Sequence, residues 1–196
     1  MIHPWKKVGD KIDYDCGFFE IHVQQSVSPV TGRQHPFYVL STRDWTNMIA
    51  LTPSQEVLLV SQFRHGSSEI SLEIPGGAVD SRDAHPLQAA QRELLEETGY
   101  QAKEWFPLGK VRPNPAILDN TCHFYLALGA EKVAELHLDE AEELECEKVE
   151  LEKIPGLIRD GKITHALVIA AFQLFSLFQK ENPDKIKIKN YLDPPA

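Results

Sequence analysis

Residues Leu72 to Tyr100 read LEIPGGAVDSRDAHPLQAAQRELLEETGY, and the second half of this stretch decides the fold. Leu87, Ala90 and Leu94 recur at helical spacing, Ala and Leu favour helix, Pro86 suits a first turn and Gly99 a left-handed stop. The spacing predicts a helix over Pro86 to Thr98. At about 100° per residue, Glu93, Glu96 and Glu97 share one arc beside the apolar stripe.

Three acids on one arc repel one another. Like charges one turn apart cost a helix about 0.2–0.5 kcal/mol, and near the C-terminal end the macrodipole opposes them as well. Arg92 can pair with Glu96 one turn on, yet one guanidinium cannot neutralise three carboxylates. Hard divalent cations take oxygen ligands of this kind, and Mg²⁺ is the natural choice, with Mn²⁺ as a substitute. On spacing alone, a solvated acidic face explains the pattern equally well.

The wider pattern separates the two. Gly77, Arg92, Glu93, Leu94, Glu96, Glu97, Gly99 and Tyr100 fall at the fixed positions of G-x5-E-x7-R-E-U-x-E-E-x-G-U, U being apolar or aromatic. The stretch therefore resembles the signature of the Nudix hydrolase family. Asp83 replaces the first glutamate, and eight residues instead of seven separate it from Arg92, so the loop is one residue longer. The resemblance implies an α+β fold, an α/β/α sandwich with mixed sheets whose signature forms loop, helix and loop. It also implies that Glu93, Glu96, Glu97 and the Gly77 carbonyl hold one to three Mg²⁺ ions, with Arg92 orienting the carboxylates.

Composition sets outer limits on function. The 196 residues, 42% hydrophobic and 25% charged, suit a globular chain with a core of its own. A net charge of −9 disfavours nucleic acid as partner, because a broad phosphate-binding surface needs Lys and Arg. Cys16, Cys122 and Cys146 form no C-x-x-C pair, which indicates neither a disulfide framework nor a zinc knuckle. There is no apolar signal core at the start and no run of about 18 apolar residues, so the expectation is a cytoplasmic protein without a membrane span. H-E-x-x-H, G-x-S-x-G and Walker loops are absent.

Along the chain, Tyr14 to Leu40 predicts an antiparallel β unit broken at Ser28-Pro29-Val30-Thr31-Gly32. Further strands are expected at Asn47 to Leu51, Glu56 to Phe63, Ile70 to Ile74, Trp105 to Val111, Cys122 to Ala127 and Glu145 to Leu151. A short helix over Ile154 to Arg159 precedes a long one capped by Thr164. Leu167, Ile169, Ala170, Phe172, Leu174, Phe175 and Phe178 supply its buried face. The tail from Lys185 reads as an edge strand or a loose arm. The division implied is an N-terminal antiparallel β extension, residues 1–45, followed by a Nudix domain, 46–196.

Outside the signature, Ser61-Gln62-Phe63-Arg64, Leu72-Glu73-Ile74-Pro75-Gly76-Gly77 and Ile158 to Ala166 resemble the branch that cleaves ADP-ribose and other nucleoside diphosphate sugars. That resemblance implies a homodimer through the N-terminal sheet. Arg64 and Glu73 would meet the diphosphate or terminal ribose, and an aromatic of Gly17-Phe18-Phe19, taken as Phe19, would stack on the base. Trp45 is the other candidate ring, and packing explains any of these aromatics as well. The catalytic base is expected at Glu142, with Asp139, Glu140 and Glu143 as its alternatives. The run Arg112 to Asn120 departs from the Pro-Gly-x-Ser pattern of ADP-ribose-preferring members and leaves GDP-mannose open. Two other readings are a Nudix hydrolase of nucleoside triphosphates or capped RNA, and a regulator that binds a nucleotide sugar without cleaving it.

Overall fold

The computed structural model describes residues 1–135, 137 and 143–184. It divides into two units, one of residues 1–44 and 111–121, the other of 45–110 and the chain from 122 onward.

In the first unit β1 (Lys6–Asp15), β2 (Phe19–Val27) and β3 (Gln34–Thr42) form an antiparallel sheet in that order. β2 and β3 join through the predicted turn, where Gly32 takes φ 68°. The returning segment 111–121 ties to this unit by Leu40 N–H donating to Ile117 O at 2.7 Å and Asn120 Nδ2 donating to Arg43 O at 3.0 Å.

The second unit is built on β4 (Trp45–Leu51) and β5 (Glu56–Arg64), apolar runs whose side chains are buried on both faces. β6 (Glu69–Glu73) folds back on β5, while the short β7 (Gly76–Ala78) pairs antiparallel with the start of β4. After α1 (Pro86–Thr98) come β8 (Tyr100–Gln101), β9 (Glu104–Val111), β10 (Cys122–Leu128), β11 (Glu131–Lys132) and β12 (Leu144–Glu150). The main sheet runs β12-β5-β4-β10-β9, with β4 and β10 parallel and β12 antiparallel to β5, so it is mixed. A 3-10 turn, α2 (Ile154–Arg159) and α3 (Ala166–Glu181) finish the described chain.

The two longer helices cover opposite faces of this sheet. Met48 and Ala50 of β4 pack with Ala90 and Leu94 of α1, while α3 lies on β4 and β10 with Val168, Phe172 and Phe175 buried. This is an α/β/α sandwich. Two details of α3 differ from expectation. Its N-cap is His165 and not Thr164, and Ile169 is 38% exposed, because Val168, Ala171 and Phe175 form the inward stripe. The tail from Lys185 lies outside the described residues.

Candidate active site

α1 spans the predicted residues, and its ends show why. Pro86 opens it, His85 caps it by accepting the Gln88 N–H at Nδ1 (3.2 Å), and Gly99, at φ 74°, closes it with an N–H to Leu95 O at 2.8 Å. A side chain at Gly99 would strike the Ala134 carbonyl. With Ala90 and Leu94 turned into the core, Glu97 follows the same inward stripe and is only 6% exposed.

A charge so placed needs partners. Gly76 supplies one, its N–H donating to Glu97 Oε2 at 2.9 Å. Gly77 comes as close from the same strand: a Cβ there would collide with the Glu93 carboxylate. The β7 backbone and the helix acids thus form one oxygen-lined wall, possible only because residue 77 has no side chain.

Arg92 binds the wall from the other side. Its Nη1 donates to Glu93 Oε1 at 2.8 Å and to Glu96 Oε2 at 2.9 Å, and its Nη2 donates to Ala78 O at 3.2 Å. Asp83 takes the remaining edge, accepting from Nη2 at 3.0 Å and Nε at 3.3 Å, and it also accepts the Asp80 N–H at 2.8 Å. Asp83 first, then burial and the neighbouring glutamates, shape the Arg92 pKa, with a net rise; Arg92 in turn holds the Asp83 carboxyl below the usual range. The residue at which the signature departs thus serves as the anchor of the signature arginine. The one-residue-longer loop still brings it within reach.

The fit to a divalent cation rests on donor chemistry and shape. Glu93, Glu96 and Glu97 offer hard oxygens from one helix: Glu93 and Glu96 both accept from Arg92 Nη1, Glu97 accepts the Gly76 N–H, and the Gly77 backbone lies beside Glu93. Among the described residues, no group of three or more His, Cys, Asp or Glu side chains stands arranged to hold a metal ion, and Glu93 and Glu96 are both paired with Arg92.

Arg64 and Glu73 come together more tightly than the sequence suggests. Arg64 donates from Nε to Glu73 Oε1 at 2.8 Å and from Nη2 to Oε2 at 2.7 Å. Burial pushes the Glu73 carboxyl up, but Arg64, with His165 and Ser71 helping, outweighs it and leaves the pKa below the usual range. Glu97 also acts on Arg64, raising its pKa together with Glu73, which couples the two clusters electrostatically. His165 is therefore an electrostatic neighbour of Glu73. Phe19 opens β2 in the first unit and is half-buried, while Phe18 is 68% exposed. Trp45 opens β4. Glu142, Asp139 and Glu140 lie outside the described residues, and Glu143 is exposed.

Known proteins match this architecture. The family model of the NUDIX domain matches residues 42–172. The chain is 31% identical over 131 residues to the ADP-ribose pyrophosphatase of Bacillus subtilis (strain 168), covering 66% of this chain and 70% of that one. It is 27% identical over 175 residues to the CMP-5'-(N-acetyl-N-hydroxy-3-aminopropyl)phosphonate hydrolase of Streptomyces rubellomurinus, covering 88% of this chain and 83% of the relative. A solved structure described as an ADP compounds hydrolase superposes with a TM-score of 0.82 at 17% identity, over 95% of this chain and 99% of that one, and so shares the fold. With the signature, the sandwich and the family match in agreement, the chain belongs to the Nudix family and is a pyrophosphatase-type hydrolase within it.

Proposed function

We propose that the protein is a Mg²⁺-dependent hydrolase of the pyrophosphate bond in nucleoside diphosphate sugars of the ADP-ribose or GDP-mannose type, giving a nucleoside monophosphate and a sugar phosphate. The observation that carries this reading is the oxygen wall on α1, where Glu97 is buried and Glu93 lies against a glycine cradle. Such an array of acids next to an arginine is costly unless cations share it. A bound divalent ion would neutralise charge on the pyrophosphate oxygens as water attacks phosphorus.

The chain's own residues divide the remaining work. Arg92, anchored on Asp83, keeps Glu93 and Glu96 facing one another. Arg64 keeps one guanidinium edge on Glu73, and its side chain is 43% exposed, leaving the other edge to meet a phosphate or a ribose hydroxyl. Glu142 is proposed as the base, on its position between the signature and the run Arg159 to Thr164 that resembles the nucleoside diphosphate sugar branch, and Phe19 as the ring that stacks on the nucleobase. The exposed Val8, Ile12, Tyr14, Phe18, Phe37 and Tyr38 of the N-terminal sheet support a homodimer through that sheet. Three free cysteines suit a reducing cytoplasm. Among the described residues no helix is long and apolar enough to cross a membrane.

The test is a panel of ADP-ribose, GDP-mannose and a CMP-linked phosphonate, run with Mg²⁺ in ¹⁸O water. Cleavage of the sugar nucleotides to monophosphate products supports the reading, and the label identifies the phosphorus attacked. Turnover of the phosphonate alone, or of none, would remove it. Light scattering at the mass of one chain would remove the dimer.

A further inference from the structure

Thr46 is fully buried, and its Oγ1 has no hydrogen-bond partner. Buried hydroxyls in native proteins are nearly always paired, and a valine would fill the same volume without the penalty of an unmet polar atom. The direction in which Thr46 points explains why the hydroxyl is retained.

Two observations give that direction. Side chains alternate along a strand, and Met48 and Ala50, two and four residues on, pack against Ala90 and Leu94 of α1. Residues opposite one another in an antiparallel pair share a face, and Thr46 pairs with Gly77, whose absent Cβ points at the Glu93 carboxylate. Both lines bring the Thr46 side chain beneath the α1 acids. Its side chain therefore lies on the α1 side of the sheet, the side on which residue 77 meets the Glu93 carboxylate.

We propose that Thr46 is a positioning residue of the metal centre. Its hydroxyl donates a hydrogen bond to the carboxylate wall of Glu93 and Glu97 when an ion gathers those oxygens, and it is unpaired otherwise. A donor behind a ligating carboxylate fixes its orientation and strengthens metal binding, commonly by about tenfold or more. The proposal rests on the metal-dependent reading above and extends it to a residue outside the signature.

The experiment is Mn²⁺ binding, read by electron paramagnetic resonance of free Mn²⁺, for the wild type, Thr46→Val and Thr46→Ser, with thermal unfolding measured in chelator. The expected result is that Thr46→Val unfolds at the wild-type temperature or above, yet binds Mn²⁺ about tenfold more weakly, while Thr46→Ser keeps wild-type affinity. Equal affinity in the wild type and Thr46→Val overturns the assignment. So does a Thr46→Ser as weak as Thr46→Val, because the hydroxyl would then not be the group that matters. If Thr46→Val does not fold, Thr46→Ala, which also lacks the hydroxyl, takes its place in the comparison. A wild type that binds no Mn²⁺ refutes the metal-dependent reading itself and the Thr46 assignment with it.

Discussion

Arg64 and Glu73 hold each other by two parallel hydrogen bonds at 2.8 and 2.7 Å, but they are unequally placed: the Glu73 side chain is 1% exposed and that of Arg64 43%. Removing one partner of a buried pair costs most when the survivor cannot reach water. Arg64→Met leaves a buried carboxylate without its cation, with only Ser71 and His165 beside it, and should destabilise by about 3 kcal/mol, whereas Glu73→Gln leaves a half-solvated guanidinium and should cost about 1 kcal/mol. Urea unfolding at neutral pH measures both, and equal losses would contradict the argument. The Glu73 carboxyl titrates below its unfolded value, so its contribution is present above about pH 4 and is lost as the pH falls through the lower folded value. Arg64→Met should flatten that acid limb.

Glu97 is the most enclosed of the three helix acids and is fixed by the Gly76 N–H. Glu97→Gln preserves shape and the accepted hydrogen bond but removes the charge. Its kcat with Mg²⁺ should fall by about a hundredfold or more, with an unchanged circular dichroism spectrum. Full turnover in the variant would exclude Glu97 from the chemistry.

Arg92 meets Glu93, Glu96, Asp83 and the Ala78 carbonyl with one planar fork, which a lysine ammonium cannot reproduce. Arg92→Lys should lower kcat/KM by roughly tenfold even though the charge is retained. The Asp83 carboxyl, now held low chiefly by Arg92, should move up toward its ordinary value, which carbon NMR of labelled aspartate would follow.

In the N-terminal sheet, His22 lies between two carboxylates, Nδ1 at 2.9 Å from Asp10 Oδ1 and Nε2 at 2.8 Å from Glu20 Oε2, with Lys7 on the far side of Asp10. Asp10 first, and Glu20 with it, raise the His22 pKa above its ordinary 6.5. A raised histidine stabilises fully below the unfolded value and loses that contribution as the pH rises through the folded one. Amide hydrogen exchange in β1 and β2, corrected for intrinsic rates, should therefore accelerate as the pH climbs above the ordinary 6.5 and through the raised folded value, and His22→Gln should abolish the trend. A pH-independent sheet would disprove the clasp.

The three thiols differ in reactivity for physical reasons. Cys16 is exposed, Cys122 is buried, and burial together with the charge of Glu97 pushes the Cys146 thiol up to about 11. Iodoacetamide at pH 8 should label Cys16 first and leave Cys122 and Cys146 largely unmodified, as peptide mass mapping would reveal. Rapid labelling of Cys146 would mean that its strand opens readily.

What the residues announce in advance is whatever local periodicity carries. α1 was legible because an apolar stripe, a proline and a glycine agree, and β4 and β5 because continuous apolar runs leave few other options. β1 escaped notice: Lys6 to Asp15 is polar and mostly exposed, and it is a strand because β2 pairs with it. β7 is Gly-Gly-Ala, which has no β propensity, and only its register with β4 makes it a strand. The site divides along the same line. The signature acids stand one turn apart on one helix, so their grouping can be read from spacing. Asp83 on Arg92, Gly76 on Glu97 and Thr46 beneath the wall depend on loop closure and strand register, which spacing does not contain.

The parallel match of β4 with β10, from Trp45 beside Cys122 to Leu51 beside Leu128, carries a consequence for biosynthesis. During translation β4 leaves the ribosome long before β10 exists, so for that interval one of its hydrogen-bonding edges has no native neighbour, and α1 is made in between. The sheet that supports the acids is completed only after Leu128 has emerged. A nascent chain stalled before that point should present β4 to chaperones, and one stalled well after it should not.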